Sequence, residues 1–271
     1  MKKNKNVLLS TPYILWMVIF TLIPLGVVVY YAVTDHVTGM LTLGNLKELG
    51  TYLPVFWQSI LYSLISAFFC LLLGYPVAYY IAHRSPTAQK FLYMLIMLPM
   101  CMSFLLRTLA WVGLLQDTGI INSFLGKFGI GPLPLIRTPA AVVLGMVYNY
   151  LPYMILPLYA TIVKIDKRLI EAAEDLGCNG VQTFQKVTLP LSMPGILSGI
   201  TMVFVPAVST FYISQKLGGT DTVLIGDVIE RLFKQGNNAN LGAALSLVLM
   251  ALVFVCTGIM NRFGGDEEVI V

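Results

Sequence analysis

A chain of 271 residues has the length of one or two soluble domains, yet 57% of its residues are hydrophobic and only 11% are charged, against roughly 25% charged in an average soluble domain. A soluble fold of this size cannot hide so much apolar surface, so the composition excludes one and points to a polytopic membrane protein. The formal net charge of +4 follows from a one-sided lysine and arginine bias and calls for no nucleic-acid partner.

Six apolar runs, near 13–33, 55–81, 91–115, 140–163, 194–213 and 241–260, are each long enough for a span of about 20 residues. All 13 acidic residues fall outside them, and of 17 basic residues only Arg107 lies within one. Backbone groups in lipid must be satisfied inside their own segment, and the alternation of outer-membrane strands is absent, so the spans are helices. An amino terminus in the cytoplasm puts Lys2, Lys3, Lys5, Arg84, Lys90, Lys164, Lys167, Arg168, Lys186 and Arg262 inside. It leaves Lys47, Lys127, Arg137, Lys216, Arg231 and Lys234 outside, a bias that favours both termini in the cytoplasm.

The first span opens after Ser10-Thr11-Pro12, a helix start with proline in its first turn. It reads as a span and not a signal peptide: the apolar part is too long, contains Pro24, and no small-x-small cleavage site follows. An outer loop, 34–54, carries Asp35, His36, Lys47 and Glu48, and a short inner turn with His83 and Arg84 joins spans two and three. The outer segment 116–139 is dense in glycine and proline, which means irregular backbone, with a short helix expected at 120–128. Pro152 and Pro157 predict a kinked fourth helix. The last outer segment, 214–240, mixes acids, bases and Gly218-Gly219, with a helix expected at 227–234.

The inner loop 164–193 is the longest and the most polar. Its first half, 166–176, reads as a helix with an aspartate start and Gly177 where a left-handed cap belongs; its second half, 180–187, reads as another short helix ended by Pro190. Glu171-Ala172-Ala173, then Gly177, then Val187-x-Leu189-Pro190 form the pattern EAA-x3-G-x9-[IV]-x-LP. The small alanines let another surface approach closely, Gly177 allows a sharp turn, and Glu171, Glu174 and Asp175 offer charge to a partner's basic groups.

That spacing, on an inner loop before the penultimate span, resembles the coupling loop of type I ABC importer permeases, the MetI-like family. Within it the chain is most similar to PotB-type permeases of spermidine/putrescine importers. Pro12-Tyr13, Gly74-Tyr75-Pro76-Val77-Ala78-Tyr79, Leu98-Pro99, Arg107-Thr108-Leu109-Ala110-Trp111 and Gly119-Ile120-Ile121-Asn122 carry the finer likeness. Departures are modest: Val187 where isoleucine is usual, and Gln58-Ser59 where Asn-Ser is common. The resemblance implies an all-α fold of six transmembrane helices. It implies a second, PotC-like permease, a cytoplasmic ABC ATPase dimer that binds the ATP and Mg, and an extracytoplasmic polyamine-binding protein. The ATPase-coupling residues would be Glu171, Ala172, Ala173, Asp175, Gly177, Val187, Leu189 and Pro190. No Walker A pattern is present, so this chain is not the motor.

A polycation is held by carboxylates and aromatic faces. The candidates along a substrate pathway are Trp111, Asp117, Tyr148, Tyr153, Phe211 and Tyr212, with Asp221 and Glu230 on the last outer loop. Trp and Tyr also form interface belts with no substrate role. Arg107, one turn before Trp111, is expected to snorkel at the outer interface. His36 and His83 have no triad or metal partners, and the four cysteines show neither CxxC spacing nor outer-loop pairing. Catalytic residues, metal ligands and bound cofactors are therefore not expected.

The sequence thus reads as a non-catalytic permease subunit in a bacterial cytoplasmic membrane. Residues 1–54 hold the amino terminus, first span and outer loop, 55–260 the transmembrane domain, and 261–271 a cytoplasmic tail. The alternatives are the same machine carrying iron(III), sulfate, thiamine or a phosphonate, or an ion-driven secondary transporter. The absence of carboxylates within the spans argues against the last.

Overall fold

A peptide group without water must pair within its own segment, and nearly every element of this chain is a helix. The computed structural model describes residues 12–35, 39–42, 44–220, 222–235 and 238–264. Lys2, Lys3, Lys5, His36, Asp221 and the tail beyond 264 lie outside the described residues. Twelve helices follow in order among those described. They are α1 (Pro12–Ala32), α2 (Gly44–Ala82), α3 (Pro86–Met97), α4 (Phe104–Leu115), α5 (Ile120–Gly126) and α6 (Pro139–Ile162). Then come α7 (Lys167–Asp175), α8 (Gly180–Leu191), α9 (Met193–Val208), α10 (Tyr212–Leu217), α11 (Ile225–Lys234) and α12 (Ala239–Gly264). Five stretches are long and apolar enough to cross a membrane, α1, α2, α4 with α5, α6 and α12, or six if the bent pair α8–α9 is one span.

The chain divides into two compact units, residues 1–54 with 228–252, and residues 55–227 with 253–271. In the first, Ala32 packs on Ala243 and Ala244, flanked by Val28 and Leu247. Two buried asparagines close the end of α1, whose last carbonyls have no helical partner. Asn45 donates to the carbonyls of Ala32 at 3.1 Å and Thr34 at 2.8 Å, and Asn240 donates to the Thr34 carbonyl at 2.7 Å.

The second unit is built around α6, packed against stripes of small residues. Along α2, Ser59, Ser63, Ser66, Ala67, Cys70 and Ala78 are all buried. The Ser66 hydroxyl meets Met146 Sδ at 3.3 Å and the Cys70 thiol points to the Val147 carbonyl. Along α9, Gly195, Gly199, Val203 and Ala207 recur every fourth residue and are buried. A Cβ at Gly195 would stand 3.0 Å from the Pro157 carbonyl oxygen, and one at Gly199 3.3 Å from that of Met154. Without a hydrophobic drive between helices in lipid, such close backbone approach supplies the packing.

Four expectations change. The outer loop expected at 34–54 is helical from Gly44, where α2 begins. The third apolar run, 91–115, is not one helix: α3 passes into a 3-10 turn at Leu98–Cys101, and Met102 and Ser103 are extended before α4 begins. Pro99 has no N–H to continue the ladder. Pro190 does not end α8, which continues to Leu191. A π-helical turn at Phe184–Thr188 widens the backbone where the proline ring would meet the preceding turn. The chain bends by 62° only afterwards, at Ser192. Arg107 does not snorkel: it is buried in α4, 7% exposed. As for the fourth helix, α6 holds Pro152 and Pro157 within one unbroken segment of 24 residues.

Candidate functional site

The polar loop folds into a helical hairpin, and its sequence explains each turn of it. Asp166 accepts from the Arg168 N–H at 3.0 Å and caps α7. At the far end Gly177 takes φ +84°, the left-handed region that glycine enters without a Cβ clash. The Cys178 N–H bonds the Ala173 carbonyl at 3.0 Å and the Gly177 N–H the Glu174 carbonyl at 2.8 Å, the paired bonds of a Schellman cap. Asn179 and Gln182 then exchange hydrogen bonds of 2.9 Å each, a capping box that starts α8.

This architecture sorts the candidate coupling residues by exposure. Ala173 is the one residue of α7 that is buried, and it faces the hairpin's inside. Glu171, Ala172, Asp175 and Gly177 are exposed, Val187 and Leu189 are half-buried, and Pro190 is exposed at the start of the last turn. The sequence reading missed the apolar residues beside them. Leu176 is 86% exposed, Val181 66% and Leu169 49%, on a hairpin otherwise polar. These three side chains leave apolar surface uncovered on a charged hairpin. Their signal was available: leucine and valine at positions where a solvated hairpin would carry polar residues.

The hairpin's rear face rests on α2. Phe184 sits edge-on to Tyr75 and to Tyr79, with ring centroids 5.5 and 5.9 Å apart. Ser192 Oγ donates to the Leu189 carbonyl at 2.9 Å, so the Tyr75 hydroxyl, 2.9 Å away, donates to Ser192.

The pathway candidates fall into three aromatic contacts within the second unit. Trp111 of α4 meets Tyr148 of α6 with centroids 5.3 Å apart, near-perpendicular. Tyr153 lies 6.4 Å from Tyr150. Tyr212 of α10 pairs with Phe104 at 6.3 Å and receives the Lys216 ammonium over its ring, 5.8 Å from the centroid. Asp117 and Phe211 are exposed and join none of these. Tyr150 and Phe104, not singled out from the sequence, are the partners in two of these pairs: Tyr150 is buried, donates to the Pro206 carbonyl at 3.3 Å, and lies within electrostatic reach of Arg107. Arg107 Nε and Nη1 are buried without a hydrogen-bond partner among the described residues. That edge of the guanidinium is held out of water.

Among the described residues no three His, Cys, Asp or Glu side chains gather as a metal site.

Residues 71–264 match the family of binding-protein-dependent transport system inner membrane components. The chain is 39% identical over 250 residues, 88% of its length and 87% of the relative's, to the spermidine/putrescine transport system permease protein PotB of Haemophilus influenzae. It is 36% identical over 243 residues, 86% of its length and 88% of the relative's, to PotB of Escherichia coli. Among solved structures, a bacterial ABC transporter involved in import of the acidic polysaccharide alginate superimposes with a TM-score of 0.77, covering 98% of this chain and 97% of that one at 19% identity. The last likeness is one of fold.

Proposed function

The chain belongs to the family of inner-membrane components of binding-protein-dependent transport systems, and on that footing we propose that it is the PotB-type permease subunit of a polyamine ABC importer. It sits in a bacterial cytoplasmic membrane with both termini inside. Beside a second, PotC-like permease it forms the path for spermidine or putrescine, which an extracytoplasmic binding protein delivers. The 164–193 hairpin docks in a cytoplasmic ATPase dimer that binds the ATP and Mg. The observation that carries the coupling role is the exposed leucine at the glycine turn of a charged hairpin: Leu176 projects beside Glu171, Ala172 and Asp175. Motion of the ATPase would then enter the membrane through α6 and α9, the helices at either end of the hairpin.

The substrate rests on the two polyamine-permease relatives and on rings suited to ammonium groups, among which Tyr212 already takes one from Lys216. A second reading, the same machine carrying an anion such as sulfate or a phosphonate, is favoured by one feature, the buried Arg107. Uptake decides between them. Membrane vesicles holding this chain with its ATPase, second permease and binding protein are expected to accumulate radiolabelled spermidine with ATP. Labelled sulfate without spermidine would overturn the substrate.

A further inference from the structure

Backbone continuity leaves α8 hinged at both ends, by the turn 176–179 before it and the 62° bend at Ser192 after it. Chain connectivity alone ties such a segment only to α6 and α9. Yet α8 also carries a ring into a notch on a third helix that is about a hundred residues away in the chain. Tyr75 and Tyr79 stand one turn apart on α2, and Phe184 meets both near-perpendicularly, at 88° and 82°. A ring set at near right angles to two others one turn apart resists sliding in either direction along α2.

The notch is braced on both sides. Below it, Tyr79 stacks on His83 with centroids 4.2 Å apart, and His83 Nδ1 lies 2.8 Å from the Tyr79 carbonyl. Above it, Tyr75 donates to Ser192, the residue at which the chain bends. Tyr75, Tyr79 and Leu189 all pack on the buried core of the second unit. Contacts thus tie α2 to α8 at the start of the π turn and again at the bend.

We infer that Phe184 is the positioning residue that keys α8 to α2, so that α2 moves with the coupling hairpin as one rigid piece. The nucleotide-driven displacement therefore reaches three membrane helices: α6 and α9 through the backbone, and α2 through the Phe184 ring and the Tyr75–Ser192 hydrogen bond, beside its packing on α6. Phe184 touches neither nucleotide nor substrate. The inference rests on the coupling role proposed above, and it names a residue outside the EAA pattern.

Two measurements on the assembled importer test it. The first is the ratio of spermidine taken up to ATP hydrolysed. Phe184→Ala is expected to lower it at least tenfold while the ATPase still co-purifies, Phe184→Tyr to return it to within about threefold, and Phe254→Ala, an exposed ring of α12 outside the hairpin, to leave it unchanged. A ratio for Phe184→Ala within twofold of the parent overturns the inference, and so does loss of the ATPase from that variant, which would make the ring a part of the docking fold only. The second needs no substrate. Spin labels at Tyr80 and Gln185, in a chain freed of its four cysteines, are expected to keep one narrow distance distribution with and without ATP. Phe184→Ala should broaden it. A distance that shifts with nucleotide in the parent overturns the rigid piece, whereas failure of spermidine uptake with an unshifted distance would count against the substrate alone.

Discussion

At single residues the hairpin makes sharp demands. Gly177 is held at φ +84° by two cap bonds. A β-branched residue there meets its own carbonyl, at about 1–2 kcal/mol. Gly177→Val should distort the turn and cut recovery of the ATPase on purification of the complex; full recovery would show that turn geometry is not read. Leu176 gives the complementary case. At 86% exposed it contributes little to the fold, so Leu176→Asp should change thermal stability by no more than about 0.5 kcal/mol yet abolish co-purification. Arg107 is the opposite kind of residue, contributing charge where the fold does not use it. Its buried Nε and Nη1 lack partners among the described residues, and an unmade bond of a charged group costs about 1–3 kcal/mol or more. Arg107→Met should therefore raise the thermal midpoint of the chain in detergent. A lowered midpoint would mean that the guanidinium is partnered.

Among the elements, α6 and its neighbours show which glycines matter. Gly199 faces the Met154 backbone, whereas a Cβ on Gly258 of α12 would meet nothing within 4 Å. Overpacking costs about 1–3 kcal/mol, and replacing an open helical glycine by alanine gains about 1 kcal/mol. Gly199→Leu should collapse the folded yield in detergent, and Gly258→Ala should leave it equal or higher; the reverse order would refute the packing of α9 on α6. Sequence periodicity predicts both helices but does not separate these two positions, because both glycines sit in apolar runs. The same blindness applies to the third run, where Leu98-Pro99 reads as part of one span although the chain breaks there. Hydropathy averages over the missing N–H of a proline. Pro190 errs in the other direction, since only the π turn upstream shows how a helix can pass through it.

For the molecule as a whole, what was legible depended on whether the signal was local. The all-helical apolar architecture, the hairpin, its Asp166 start and its Gly177 cap all follow from short-range rules of charge, propensity and turn chemistry. The bracing of Phe184 by Tyr75 and Tyr79, the Tyr150 bond to the Pro206 carbonyl and the burial of Arg107 depend on residues tens of positions apart, and nothing in their spacing announces them. The whole account depends on which side of the membrane the hairpin meets its motor. Cys178, half-buried in the glycine turn, is a native reporter of that. With Cys70, Cys101 and Cys256 replaced by alanine, a membrane-impermeant maleimide should label Cys178 in inverted vesicles, less when the ATPase is bound, and not in intact cells. Labelling from outside intact cells would contradict the account at its centre.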